Sequence, residues 1–239
     1  MSATVETEAR LGCILVSLFA AACGATQPPP PEDSAAVTPP PAEEPDDGLQ
    51  IEGQRGTISP MAVEAALSGQ LQRLGGCYRE ALEGSPYLLG DVVLSFRIGR
   101  DGAVRAVFPV SSTIGHQATQ ACLVERARSI RFARPVGGEA EASYPLLFNP
   151  GSGRPPDLWT AAQGADAIAG HREEIASCGL SGEGYSLTMY VDRGGRVAAA
   201  GVSYPAPEGA TAADCVARTA TTWTLPDPGS WMAKVTVDL

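Results

Sequence analysis

Two stretches of this chain carry the same pattern at a spacing of 93 residues. Residues 92–107 and 185–200 each alternate apolar and polar side chains, turn at Arg-Asp-Gly or Arg-Gly-Gly, and alternate again. Alternate side chains of a strand face opposite sides, and glycine tolerates the positive φ of a tight turn, so each stretch predicts a β-hairpin. The same spacing places Cys122 on Cys215 and Leu146 on Leu239. A constant spacing of this kind predicts a duplicated domain.

The residues around the first hairpin predict its neighbouring elements. Ser59-Pro60 is a helix start, and the apolar stripe that follows predicts one helix as far as Leu82, weakened at Gly75-Gly76. A second helix is predicted over about residues 117–128. Apolar side chains at every second position from 140 to 148 then predict a closing strand.

The second copy has the same order of elements. A first helix carries Ile168 and Ile175, a later helix is predicted around 210–221, and a last strand ends at Leu239. We therefore predict an α+β fold of two tandem α-β-β-α-β repeats, each a small antiparallel sheet packed by two helices. The domain bounds are 57–150 for the first copy and 157–239 for the second, divergent one.

Residues 1–23 have the features of an export signal. The apolar run from Leu11 to Ala22 is too short for a stable membrane-spanning helix. Small residues precede Cys23, which resembles a bacterial lipobox and predicts lipidation of Cys23. Gly24 then stands where an aspartate would retain a lipoprotein in the inner membrane of enteric bacteria, so outer-membrane sorting is expected. An ordinary signal peptide or a wrongly assigned start are the alternatives.

Residues 24–56 predict a disordered tether. The segment contains two proline runs and several acidic residues, and its first basic residue is Arg55. Prolines favour extended polyproline geometry, and such a composition buries too little apolar surface to offset its ordering entropy. The segment is either a spacer that holds the folded part away from a membrane or an ordinary acidic linker.

The charge balance and the motifs exclude several functions. A net charge of −10 argues against nucleic-acid binding, which needs basic patches. No phosphate loop, zinc-protease motif or acidic calcium loop is present, so we expect no cofactor and no metal. The two histidines, His116 and His171, fall at non-equivalent positions of the two copies. Ser112, His116 and Asp101 could be read as a Ser/His/Asp catalytic triad, but a polar residue at a helix start explains His116 better. We therefore expect that the protein is not an enzyme.

Four cysteines outside the leader lie at matching places of the two copies. In an exported protein they predict two disulfides, Cys77 with Cys122 and Cys178 with Cys215, each joining the first helix to the second helix of its repeat. A zinc site is the alternative, but two cysteines without a neighbouring histidine are too few ligands. The chain also lacks the Cys-x-x-Cys spacing of a redox pair.

Residues 57–148 resemble the C-terminal domain of the AgmX/PglI gliding-motility proteins, a periplasmic family distantly similar to the TonB C-terminal domain. The resemblance rests on a set of residues spread over the first copy: Cys77-Tyr78, Gly90, Phe96, Ile98, Asp101-Gly102, Ser111-Ser112-Thr113, Cys122, Phe132, Pro135, Gly137-Gly138 and Tyr144-Pro145. The second copy matches only through its hairpin, Cys215, Pro228 and the final strand. The resemblance implies envelope proteins as partners, within a gliding-motility or TonB-like transport apparatus.

These inferences together predict a non-enzymatic envelope lipoprotein that binds other proteins. A three-stranded sheet leaves an edge whose free N–H and C=O groups can pair with an extended segment, the mode called β-augmentation. Arg97, Arg100 and Arg105 near the first hairpin form a candidate partner surface. The alternative is a glycan-binding protein or hydrolase of the cell wall that uses these arginines.

Overall fold

The computed structural model describes residues 55–149, 154–229 and 231–239. Its fold is mixed α+β, as the sequence predicts. The leader, Cys23 and residues 24–54 of the tether lie outside the described residues, so the expectations for them remain predictions. Arg55 and Gly56 are described, and they pair with the segment before the last strand of the first repeat, so order begins ahead of the expected bound at residue 57.

The first half, residues 55–149, forms a three-stranded antiparallel sheet covered on one face by helices. Its elements in chain order are α1 (Pro60–Ser68), α2 (Leu71–Gly84), β1 (Gly90–Ile98), β2 (Val104–Ser112), α3 (Gln117–Ala127) and β3 (Ala140–Phe148). The strand order is β2-β1-β3, so the first hairpin strand is central and β3 is at one side.

The prediction of one first helix is wrong, because the structure has two helices there, α1 and α2. The break falls at Gly69, whose N–H bonds the Leu67 carbonyl and ends α1. Gly75 and Gly76, expected to weaken the helix, lie inside α2. Each glycine costs a helix about 1 kcal/mol relative to alanine, which the buried packing of Leu74 and Cys77 outweighs.

The second half, residues 154–239, has the same order of elements with an added short strand. Its elements are β4 (Asp157–Leu158), α4 (Ala161–Ala167), α5 (Arg172–Ser177), β5 (Ser186–Val191), β6 (Val197–Ser203), α6 (Ala210–Ala220) and β7 (Ala233–Asp238). The strand order is β4-β7-β5-β6, and β4 runs parallel to β7. Without β4 this is the order of the first sheet, with the first hairpin strand in the centre.

The two hairpin turns make the same contacts at the spacing of 93 residues. The Phe132 N–H donates to the Gly102 carbonyl at 2.9 Å, and the Leu225 N–H donates to the Gly195 carbonyl at 2.8 Å. Both glycines have positive φ, and a Cβ on either would lie within 2.2 Å of the opposing carbonyl oxygen. Only glycine fits these two turns. The recurrence agrees with a duplication, which itself remains a prediction.

The two halves belong to one compact unit with two hydrophobic cores. The cores are not confined to their own repeats. Tyr190 and Met232 of the second half pack in the first core, and Phe108 of the first half packs in the second. The alternation of apolar and polar residues along β5 is typical of a strand with one solvent-exposed face. Thr188 and Tyr190 on that face are instead buried against the first half.

Both predicted disulfides are present. Cys77 of α2 is bonded to Cys122 of α3, and Cys178, just after α5, is bonded to Cys215 of α6. Each bridge therefore joins the helical layer of its own half, as expected. Disulfides persist in oxidising compartments, so the pairing of all four cysteines fits a non-cytoplasmic protein.

Candidate functional site

The outer edge of β3 is the side of the strand that faces away from β1. The Gly56 N–H donates to the Glu139 carbonyl at 2.6 Å, which shows that the backbone of residue 139 points to this side. Backbone groups of every second residue in a strand point the same way. The N–H and C=O groups of Glu141, Ser143 and Leu147 therefore point outward.

Pro145 is consistent with this assignment. It pairs with Val93 in the middle of the ladder between β1 and β3. A proline has no N–H, so it is tolerated in a strand where the missing donor faces outward. Within the described ranges, no other segment bonds the outward groups of Glu141, Ser143, Pro145 and Leu147. We call these four residues the open edge.

A groove runs beside the open edge, between α1 and β3. Its volume is about 470 Å³. We call it the α1–β3 groove, and its lining residues are Ile58, Pro60, Val63, Glu64, Glu141, Ala142, Ser143, Tyr144 and Pro145. The Tyr144 hydroxyl donates to Glu64 Oε1 at 3.4 Å across the groove. Desolvation, together with this carboxylate, raises the pKa of Tyr144 above its usual value, so it remains a neutral donor.

The corresponding pocket of the second half, between α4 and β7, is smaller, with a volume of about 200 Å³. Gly164 of α4 lies directly on β7, where an added Cβ would be 2.4 Å from a Val235 methyl carbon and 2.6 Å from a Val237 methyl carbon. By the offset between the first helices of the two repeats, Gly164 stands where the first half has Val63. The first half thus has a larger residue at this position and the larger groove.

The edge of the second sheet that corresponds to the open edge is paired at its start. Asp157 N–H donates to the Met232 carbonyl at 2.9 Å, and Trp159 N–H donates to the Lys234 carbonyl at 3.0 Å. In the first half only the first of these two bonds has a counterpart, from Gly56 to Glu139. The second half thus pairs an extended segment with Lys234, where the carbonyl of the matching Glu141 is free among the described residues of the first half.

The remaining edges meet in the contact between the halves. Gln120 Nε2 donates to the Val202 carbonyl at 2.8 Å, and Val202 N–H donates to Gln117 Oε1 at 3.2 Å, so side-chain amides of α3 pair the outer edge of β6. Tyr204 N–H donates to the Pro109 carbonyl of β2 at 3.1 Å. These bonds cover part of the outer edges of β2 and β6.

A buried polar cluster connects the second half to the loop before β1, through hydrogen bonds of Tyr190 and Lys234 to Leu89. The Tyr190 hydroxyl donates to the Leu89 carbonyl at 2.7 Å and accepts from the Leu89 N–H at 3.0 Å. Lys234 Nζ donates to the same carbonyl at 2.8 Å. Desolvation lowers the pKa of Lys234 to about 8, although the carboxylate of Asp91 acts in the opposite direction. Lys234, the only lysine of the chain, is thus a buried charge at neutral pH.

Lys234→Met is expected to change the pH dependence of stability. Because the folded pKa is below the ordinary value of 10.5, the unfolded chain binds more protons between about pH 8 and 10.5. The free energy of unfolding of wild type should therefore rise with pH in this window, while that of the methionine variant does not gain from this group. The stability of the variant relative to wild type should be highest near pH 7 and should fall as the pH rises. Urea unfolding of both proteins at about pH 7, 8.5 and 9.5 measures this. A difference that stays constant over this range would contradict the buried charge.

The arginines predicted as a partner surface are not brought together as free cations. Arg97 forms ion pairs with Glu141 at 3.5 Å and Glu208 at 3.8 Å, and Arg105 pairs with Asp101 at 3.1 Å. Arg100 is exposed at the hairpin turn. Two of the three charges are thus already balanced by carboxylates.

The conceivable serine, histidine and aspartate constellation does not assemble. Ser112 donates to Gln120, and Asp101 accepts from the Ala103 N–H and from Arg105. His116 caps α3 by accepting the Thr119 N–H, and burial lowers its pKa. Each group has its own structural partner, and no hydrogen bond joins any two of the three in the described part of the chain.

His171 has a separate environment in the second half. Its ring stacks on Trp223 at 4.4 Å between centroids, and its Nδ1 lies 2.9 Å from Glu174 Oε1. Glu174 Oε2 also accepts from the Trp223 indole N–H at 3.0 Å. The described residues contain no group of three or more potential metal ligands, and no helix among them is long and apolar enough to cross a membrane.

The sequence predicts a free sheet edge but does not assign it to β3, and it does not identify Glu64 as part of a site. The one available signal was Tyr144-Pro145, since a proline within a strand pattern marks an edge strand. Comparison of the chain with protein-family models, curated proteins and solved structures finds no match.

Proposed function

We propose that this protein is a non-enzymatic binding module that takes up an extended segment of another protein by β-augmentation at the open edge of β3. One observation carries the proposal: among the described residues no segment pairs with the outward groups of Glu141, Ser143 and Leu147, whereas β4 pairs with Ala233 and Lys234 at the start of the corresponding edge in the second half. The fold itself thus pairs a short added strand with this kind of edge. Main-chain hydrogen bonds supply affinity in this mode, and pockets for alternate side chains supply specificity.

The α1–β3 groove is the specificity pocket in this proposal. Side chains alternate between the two faces of a sheet, so every second residue of an added strand faces α1. Ala142 and Tyr144 lie on this face of β3 and line the groove together with Val63 of α1. The other residues of the added strand face the side on which Ser143 and Leu147 are exposed.

Ser143→Pro is expected to lower affinity for the bound segment about tenfold or more, because it removes an outward N–H and introduces ring atoms at the edge. The outward N–H of Ser143 is not used in the ladder with β1, so the fold should be retained, as it is with Pro145. Peptides selected from a random display library on the full-length, oxidised chain provide the ligands. Fluorescence anisotropy of these peptides measures the affinity.

Ser143→Ala is the matched control, because it changes the same side chain and keeps the N–H. It should bind the selected peptides within a factor of about two of wild type. Circular dichroism and the thermal transition check that both variants are folded. Equal binding by a folded Ser143→Pro variant would contradict β-augmentation at β3.

The proposed location is the cell envelope, with the chain anchored through lipid on Cys23, in the outer membrane and facing the periplasm. The two disulfides support an exported protein. The resemblance of the first half to the AgmX/PglI C-terminal domain supports envelope proteins as partners, in a gliding-motility or TonB-like transport apparatus. Residues 24–54 would then be the tether between the anchor and the folded unit.

Cys23→Ser is expected to remove the lipid and to move the protein from the detergent phase to the aqueous phase. Two acyl chains already suffice for stable anchoring, at about 0.8 kcal/mol per buried methylene, so the effect should be complete. Phase partitioning and mass spectrometry of the N-terminal peptide measure it. Cys13→Ser, within the leader, is the control and should leave partitioning unchanged. A Cys23→Ser protein that behaves as wild type would exclude Cys23 as the anchor.

A further inference from the structure

Glu64 is a carboxylate on the groove side of α1. It is exposed, and its contact in the structure is the Tyr144 hydroxyl at 3.4 Å. No arginine or lysine of the described ranges forms an ion pair with it. The second carboxylate of the groove, Glu141, differs in this respect, since Arg97 lies 3.5 Å and Arg55 3.7 Å from it.

The rest of the α1–β3 groove is mostly apolar. Ile58, Pro60, Val63 and Ala142 line it around the Tyr144 ring. An added strand therefore presents alternate side chains to an apolar surface that carries one uncompensated negative charge. The groove is complementary to an apolar side chain with a positive charge next to it on the same face.

We propose that the segment bound at the open edge carries a lysine or arginine that pairs with Glu64, two residues from an apolar side chain that enters the α1–β3 groove. This inference rests on the proposed function, because it assigns the chemistry of the partner that β-augmentation brings to β3. Residues two positions apart on a strand share a face, which sets the spacing.

The negative charge of the chain disfavours two other occupants of the open edge, namely residues 24–54 of the same chain and a second copy of the protein. Residues 24–54 contain seven acidic side chains and no lysine or arginine, so this segment would place negative charge beside Glu64. A second copy carries the same groove carboxylates and a net charge of −10. A segment of another protein with basic character fits better than either.

We expect one segment per chain, bound to the first half. In the second half, β4 already pairs with Ala233 and Lys234 of β7, and the pocket between α4 and β7 is only about 200 Å³, against about 470 Å³ for the α1–β3 groove. The second half serves as a support for the first, to which it is fixed through Tyr190, Gln117 and Gln120.

The test is a random twelve-residue peptide library displayed against the full-length, oxidised chain, followed by affinities of the enriched synthetic peptides. Enriched peptides should carry lysine or arginine two residues from an apolar residue and bind with a stoichiometry of one. Glu64→Gln should lower their affinity about two- to fivefold and Glu64→Lys about five- to twentyfold, as expected for partly exposed ion pairs. Glu83→Lys on α2 changes the net charge equally, and affinity should stay within a factor of about two.

The remaining outcomes separate this inference from the proposed function. Peptides that Ser143→Pro blocks, but that lack basic residues and are insensitive to Glu64→Lys, would overturn the inference and leave β-augmentation intact. Absence of any peptide sensitive to Ser143→Pro would overturn both. Competition by a peptide of residues 24–54, or dimerisation of the chain that Ser143→Pro abolishes, would overturn the inference by assigning the edge to the chain itself.

Discussion

Tyr190→Ala is expected to lower the free energy of unfolding by about 3–5 kcal/mol, the usual cost of truncating a buried aromatic side chain. Tyr190 is fully buried, although it belongs to the second half and lies in the core of the first. Its ring packs on Tyr87 at 5.2 Å between centroids, and its hydroxyl makes two bonds to Leu89. The substitution therefore opens a cavity and leaves the Leu89 N–H unpaired.

Tyr190→Phe separates these two contributions. It keeps the ring and removes the hydroxyl, so it should cost about 1–2 kcal/mol, the penalty for the unpaired Leu89 N–H, because Lys234 still donates to the Leu89 carbonyl. Urea unfolding followed by tryptophan fluorescence measures both variants, and wild type should unfold in a single transition. A loss below about 1 kcal/mol for Tyr190→Ala, or two separate transitions in wild type, would contradict the joint core of the two halves.

Removal of the Cys77–Cys122 bridge is expected to cost about 3–4 kcal/mol by the loop-entropy relation, because the bridge closes a loop of 45 residues. The Cys178–Cys215 bridge closes a loop of 37 residues and should contribute nearly as much. Paired alanine variants, one for each bridge, test this by urea unfolding without reductant.

Reductant is the internal control for the bridge experiment. It should destabilise wild type by about the sum of the two losses if they are independent, and each paired variant by the loss of its remaining bridge alone. Free thiols in exported wild-type protein, or no stability change on reduction, would contradict the contribution assigned to these bridges.

The strands could be predicted because their pattern is local. The period of two in residues 92–107 and 185–200, with glycine at each turn, is enough to place both hairpins. The cysteine pairing was also accessible, because exported proteins oxidise their cysteines and each copy holds two. The hairpin prediction depends on residues that are close in sequence, and the disulfide prediction depends on only four cysteines outside the leader.

The contact between the halves could not be predicted. Thr188 and Tyr190 alternate with apolar residues along β5, as a solvent-facing side would, yet both are buried. Their partners Ser112 and Leu89 are far away in sequence. A polar side chain that pairs across such a distance leaves no local signal.

The hairpin arginines show the same limit. Their clustering is visible in the sequence, but the carboxylates that balance Arg97 come from Glu141 and Glu208. The glycan-binding alternative depends on free cations at this place. Arginine-to-alanine variants tested for sedimentation with peptidoglycan address it, and binding that collapses in them would favour that alternative over a protein-binding edge.

A free sheet edge was predicted, but it could not be assigned to β3 because three separate segments create the site. Pro145 in β3, Val63 where the second half has Gly164, and the missing counterpart of β4 must be considered together. Only the proline is visible as a local signal. The duplicated pattern suggests two equal sites, whereas in the described part of the chain β4 pairs with the start of the second edge and no such strand pairs with the first.

Amide hydrogen exchange on β3 tests the proposed binding mode most directly. In the free chain the outward amides of Ser143 and Leu147 should exchange fast, while those of Ala142 and Tyr144, which face β1, should be protected. With a selected peptide bound, exchange at Ser143 and Leu147 should slow at least about tenfold, with little change at Ala142 and Tyr144. New protection confined to the hairpin around Arg97, Arg100 and Arg105, with Ser143 and Leu147 still exchanging fast, would contradict binding at the open edge.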